Sequence, residues 1–186
     1  ATALEQLAEV HLALKDPPSA VAVVDRLLAV ADLDESAREK AAQLRARCLW
    51  KAGRGAEAVA QWHALLATKP GDAELQESCL EALEREGRWD EVVKQLRAWL
   101  PETRDAVQAM ERRLRLARAH VTQNQPDQAL EVLKEALAQS AADSWLETET
   151  LVQIESIYRR TDDVAGLSAL LESLRKASPA RVLLGL

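Results

Sequence analysis

Residues able to do chemistry are few and scattered along this chain of 186 residues. The three histidines are His11, His63 and His120, and no His or Cys pair stands at metal-ligand spacing. His11 and His120 hold equivalent places in two copies of a repeat, so they are expected far apart, and packing or surface roles are the reading for all three. Cys48 and Cys79 lie in apolar helical stretches and read as small buried hydrophobes; two thiols make no disulfide framework. Gly53-Arg-Gly55 reads as a helix turn and not as a phosphate loop, and no nucleophile motif has a base nearby. Carboxylates are plentiful, but they recur on helix faces, which makes them solvated surface. No catalytic residue, metal or cofactor is expected, and the chain reads as a non-enzyme.

Charge narrows the partners. The chain carries 24 basic and 30 acidic residues, a net charge of −6. A duplex nucleic-acid binder needs a basic stripe to neutralise phosphates, and none dominates. The sign also disfavours an anionic membrane surface, and uninterrupted apolar runs such as Ala20–Val24 are far too short to span a bilayer. Cysteine usage fits a reducing compartment, so a cytoplasmic location is expected, with periplasmic or secreted placement after removal of a leader as the alternative. The opening Ala1-Thr2-Ala3 has no Met and no signal segment. The apolar, uncapped end from Ala180 to Leu186 reads as the start of a further helix, as in a segment excised from a larger protein.

The elements that must position any site are helices. Ala, Leu, Glu, Lys and Arg make up more than half of the chain, there is no Phe, and Tyr158 is the single tyrosine. Lys51-Ala-Gly-Arg-Gly-Ala-Glu-Ala-Val-Ala-Gln-Trp62 matches Arg85-Glu-Gly-Arg-Trp-Asp-Glu-Val-Val-Lys-Gln-Leu96, and Gly53 and Gly87 are 34 residues apart. A third copy, Thr122–Leu133, carries Asn124 in place of the glycine, the usual second choice for a left-handed helix end. Weaker copies surround Lys15–Ala20 and Thr161–Gly166. Each copy reads helix, tight turn, helix. First helices are expected near 2–14, 37–52, 73–86, 106–122 and 146–160, and second helices near 18–31, 55–68, 89–100, 127–139 and 163–177. Ser36-Ala-Arg-Glu39 and Ser144-Trp-Leu-Glu147 read as capping boxes, Asp72 and Asp105 as N-caps, and Pro18, Pro126 and Pro179 as first-turn prolines. Small residues set the register: Ala20, Ala58, Val92, Ala129 and Gly166 in the second helices, matched by Ala8, Ala46, Leu80, Ala117 and Ile154 in the first.

This pattern resembles the tetratricopeptide repeat (TPR) family. Ala46, Gly53, Ala58, Trp62 and Pro70 carry the resemblance in one unit, Gly87, Trp89, Asp90 and Glu91 in the next, and Ala117, Ala129 and Ala136 in the one after. Trp99 and Leu65 depart from it, at a site the family usually fills with Ala. The resemblance implies an all-α, right-handed α-solenoid superhelix of antiparallel helix pairs. It would be a single domain of five units, about 1–34, 35–71, 72–104, 105–141 and 142–178, with 179–186 opening a further helix. One hairpin cannot bury its apolar face alone, so stacking supplies the core.

The family lines a concave face with its first helices, and that face is where a protein or peptide partner is expected. Equivalent sites there read Glu9, Arg47, Glu81, Arg118 and Glu155, alternating in sign. This row is either a ladder of salt bridges that fixes stacking or a banded groove that selects a complementary peptide. The candidate partner contacts are Arg47, Trp50, Lys51, Arg115, Arg118 and Tyr158. Trp50 is expected on the groove side with Tyr158 as its counterpart in the fifth unit, whereas Trp62, Trp89 and Trp99 are expected in the core and Trp145 at a helix start. The Lys/Asn/Arg clamp that some members use for chaperone C-terminal tails is replaced by Glu5, Glu9, Gln43, Arg47, Glu77 and Glu81, which disfavours that partner. The function expected is a protein–protein interaction scaffold or adaptor. The alternatives are self-assembly through apolar ends around Val182, Leu183 and Leu184, and a regulatory or recruiting domain of a larger enzyme.

Overall fold

The computed structural model describes residues 2–140 and 144–177; Pro179 and the apolar end containing Val182, Leu183 and Leu184 lie outside the described residues. The described residues form ten α-helices: α1 (Thr2–Ala13), α2 (Pro17–Leu28), α3 (Glu35–Lys51), α4 (Gly55–Thr68), α5 (Ala73–Arg85), α6 (Trp89–Trp99), α7 (Ala106–Thr122), α8 (Pro126–Gln139), α9 (Trp145–Arg160) and α10 (Val164–Ala177). A single 3₁₀ turn, Leu100–Glu102, follows α6. Two compact units result, Ala1–Arg88 and Trp89–Leu186. The first holds the hairpins α1–α2 and α3–α4 together with α5; the second holds α6 and the hairpins α7–α8 and α9–α10.

Helix starts follow from short polar side chains. Asp16, Asp72, Asp105 and Ser144 each accept a hydrogen bond from the backbone N–H three residues on, at 3.3, 3.1, 2.7 and 3.2 Å. The expected cap at Ser36 is corrected. Asp34 holds that position, accepting from the Ala37 N–H at 2.8 Å, so α3 begins before Ser36. An Asp serves as well as a Ser in this role, and its charge also faces the positive end of the helix dipole. Glu39, the expected second half of that box, pairs with Lys69 instead. Asp34→Ala should therefore lower stability by about 1 kcal/mol, whereas Ser36→Ala should stay within about 0.5 kcal/mol. Parallel urea melts check this, and equal losses would contradict the assignment.

The turns inside the repeats share one geometry. Lys15, Gly53, Gly87, Asn124 and Asp162 all have φ between 56° and 75°, in the left-handed region. The N–H of the next residue reaches back five positions, Asp16 to His11, Arg54 to Leu49, Arg88 to Leu83, Gln125 to His120 and Asp163 to Tyr158, at 2.9–3.0 Å. This closing bond satisfies a carbonyl left open at the helix end. Glycine takes that backbone freely at Gly53 and Gly87, while Asn124 and Asp162 take it as short polar residues.

These turns give the true register. Their steps are 38, 34, 37 and 38 residues. The first four units agree with the small-residue rows, and the fifth is displaced by one residue. Counted from Asp162, the counterpart of Ala117 is Glu155 and not Ile154, and the counterpart of Ala129 is Leu167 and not Gly166. Within each unit the small residues are buried: Ala8, Ala20, Ala46 and Ala58 have no exposed surface in the first, and Ala117 and Ala129 are buried in the second. The core of the second unit gathers Leu130, Leu133, Leu137, Ile154, Ile157 and Tyr158 around Ala117 and Ala129.

Candidate partner-binding faces of the first helices

In the first unit, Arg47 of α3 reaches Glu9 of α1, Nη1 to Oε1 at 3.3 Å, with both side chains about half exposed. This is one step of the expected charge row, and an exposed pair of this kind contributes about 0–1 kcal/mol. One turn on, Trp50 is half-buried. Its ring meets Trp62 of α4 edge-on, with centroids 6.2 Å apart and planes at 68°. The Arg85 guanidinium of α5 lies 5.0 Å from its centroid. The indole is thus fixed from both sides while part of it still faces solvent. Lys51 is exposed and has no ion-pair partner among the described residues. Arg45, one turn earlier, is structural: it bonds Asp25 of α2 at 2.6 Å and Gln61 of α4 at 3.3 Å.

In the second unit, Arg118 of α7 is exposed and its side chain has no ion-pair partner among the described residues, while Arg115 is half-buried. The expected pairing of Arg118 with Glu155 is not made. Glu155 pairs with Arg159 inside α9 at 2.6 Å. The turn register places Ser156, not Glu155, level with Arg118. Tyr158 is likewise corrected as a groove aromatic. It is only 4% exposed, packed in the core, with Lys134 Nζ 5.6 Å from its ring centre. Its counterpart is the buried Leu49, and the counterpart of Trp50 is Arg159. A shallow depression of about 340 Å³ lies along α9 beside Val152, Glu155, Ser156, Arg159 and Arg160. Sequence reasoning missed both this depression and Arg85, although Arg85 stands one 34-residue step after Lys51.

The other candidates for chemistry are packing groups. His120 is buried, with Nε2 3.3 Å from Arg97 Nη2 and Nδ1 2.7 Å from Gln125 Oε1. Arginine can only donate, so Nε2 accepts and Nδ1–H donates to the amide. Cys48 and Cys79 are free thiols without exposed surface. Burial, helped by Glu9, pushes the Cys48 thiol up to about 11, so it is protonated and unreactive at neutral pH. Trp62 and Trp99 are buried as expected, whereas Trp145 is 62% exposed at the first position of α9. Among the described residues no three His, Cys, Asp or Glu side chains converge as metal ligands, and no helix is long and apolar enough to cross a membrane.

Ten helices among the described residues, with a left-handed turn recurring after each first helix, define a helical-hairpin repeat protein. The tetratricopeptide repeat pattern matches residues 43–107 and 114–148, more than half of the chain, and the chain belongs to that family. Its fold is the TPR solenoid of helix pairs. One similar solved structure holds the nearly identical TPR-like repeats described as a kinesin light chain of Podosopora anserina. It has 18% identity and a TM-score of 0.63, covering 99% of this chain and 97% of that one. MamA from Desulfovibrio magneticus RS-1 follows at 14% identity and a TM-score of 0.62, covering 97% and 96%. BtubC from P. vanneervenii has 12% identity and a TM-score of 0.58, covering 98% and 81%. At these identities the likeness is one of fold. No curated protein is significantly similar in sequence. The TPR fold generally mediates protein–protein interaction or scaffolding, and TPR proteins are generally non-catalytic.

Proposed function

We propose that this chain is an interaction scaffold that docks a partner peptide or domain on the solvent-facing sides of its first helices. Arg47, Trp50 and Lys51 of α3 are the contacts of the first unit, and Arg115 and Arg118 of α7 are those of the second. The observation that carries this reading is the half-buried Trp50 of the first unit with the exposed cation Lys51 next to it, which has no ion-pair partner among the described residues. Beside Lys51, a half-buried indole is already held by Trp62 and Arg85 and loses little freedom on binding. A partner segment with carboxylates next to an apolar side chain fits these groups.

The test is the double variant Lys51→Glu/Arg118→Glu, which disturbs no ion pair among the described residues. With the chain immobilised, proteins retained from the native lysate by the wild type should be lost at least about tenfold by the variant at unchanged helicity. Equal capture by both would remove these faces from recognition.

A further inference from the structure

Counting back from the left-handed turns at Asn124 and Asp162 aligns α7 with α9 inside the second unit. The two helices touch, and the Thr150 hydroxyl of α9 donates to Met110 Sδ of α7 at 3.8 Å. Seventeen residues before the turn stand Val107 and Trp145, 45% and 62% exposed. Thirteen before it stand Glu111 and Glu149, neither with an ion-pair partner among the described residues. Ten before it stand the half-buried Leu114 and Val152, the latter 51% exposed. Arg118 and Ser156 follow at six, and Arg160 lies one turn beyond Ser156.

These positions fall three and four residues apart, so they share one stripe of each helix. The stripe reads apolar, acidic, apolar, then polar or basic on both helices. Stacking does not require that order: on α3 the same positions are Ser36, Lys40, Gln43 and Arg47, polar throughout. Nor is the stripe open because the helices end there. The hairpin α9–α10 follows α7, and Val107 is exposed all the same. A tryptophan in water, level with a second open apolar side chain and two turns from a third on its own helix, is surface that gains from being covered. The depression of about 340 Å³ beside Val152, Ser156 and Arg160 continues it.

On the reading that first helices are docking faces, we propose that α7 and α9 together seat an amphipathic partner helix running antiparallel to both. The levels of the stripe are separated by four, three and four residues, about 6, 4.5 and 6 Å along the helices. An extended chain brings a side chain to the same face every 6.6 Å or so and loses step at the middle interval. A helix keeps step, with an acidic residue at i, an aliphatic one at i+4, Lys or Arg at i+7 and an aliphatic one at i+11. The acid meets Arg118, the first aliphatic residue covers Leu114 and Val152, the base meets Glu111 and Glu149, and the second aliphatic residue covers Val107 and Trp145. This direction also puts the acid toward the start of the partner helix, where the helix dipole favours it.

The probe is a fluorescently labelled, Ala-rich peptide of about 18 residues with Glu, Leu, Arg and Leu at those four positions, added to the full chain. Its control has the same composition with Glu and Arg exchanged. Anisotropy should show saturable binding with a dissociation constant below about 100 μM, at least about tenfold tighter than for the control. Trp145→Ser should weaken binding at least about tenfold at unchanged melting temperature. Glu111→Lys should weaken it about threefold or more, and a peptide with Glu in place of Arg should recover the loss. No saturable binding, equal binding of the control, or undiminished binding to the Trp145→Ser chain would overturn the proposal. So would a dimer of the chain alone that Trp145→Ser dissolves in sedimentation, since a second copy would then be the occupant. Failure of the peptide while Lys51→Glu/Arg118→Glu still loses lysate proteins overturns this proposal alone; failure of both removes the docking reading with it.

Discussion

Replacing Trp62 by alanine is expected to lower the unfolding free energy by about 3–5 kcal/mol. The indole is 2% exposed in α4 and meets the edge of Trp50 on α3. Its loss opens a void between two helices whose spacing is already set by Ala46 and Ala58, both without exposed surface, so the gap cannot close by simple approach. The damage should spread to the candidate binding face. Trp50 is braced by Trp62 on one side and by Arg85 on the other, and without the first brace its ring is free to turn. A urea melt followed by helical circular dichroism gives the stability, and amide exchange in α3 and α4 locates it. A loss below about 1 kcal/mol would mean that Trp62 does not hold this hairpin together.

Tyr158→Ala is expected to cost about as much, roughly 3–5 kcal/mol, while the neighbouring Arg159→Ala stays within about 0.5 kcal/mol. Tyr158 is 4% exposed and belongs to the cluster with Leu133, Ile154 and Ile157. Gly166 lets the ring come close: a β-carbon there would stand 2.6 Å from Tyr158 Cε1. The Arg159 side chain is 75% exposed and pairs with Glu155 of its own helix. The comparison decides the register of the fifth repeat. If the small-residue alignment were right, Tyr158 would be the counterpart of Trp50 and the two losses would be close to each other. The same melts check both variants.

The one-residue displacement shows where reading by spacing stops. Gly53, Gly87 and Asn124 announce left-handed turns because few other residues take that backbone cheaply. In Thr161-Asp162-Asp163, two adjacent aspartates are equally able to do so, and Gly166 imitates the small residue of the other second helices. An α-helical period of 3.6 residues tolerates a slip of one without losing its apolar face, so composition alone does not reveal it. The error then carried over to the site, making Tyr158 a surface aromatic and Glu155 a rung of the charge row. The cap of α3 was ambiguous for a related reason: Asp34 and Ser36 are both good caps two residues apart, and Asp34 takes the role.

By itself the sequence determined the class of this protein: paired helices, turns at glycine or asparagine, aspartate caps, buried cysteines and the tryptophan core. These depend on contacts within a few residues along the chain, and such contacts are written in residue type and period. Only the tertiary structure decided which cations stay unneutralised, that Arg85 covers Trp50 and that Tyr158 is inside. Each of these depends on which residue of a different helix arrives opposite, and helices joined by turns of varying length carry no local record of that meeting.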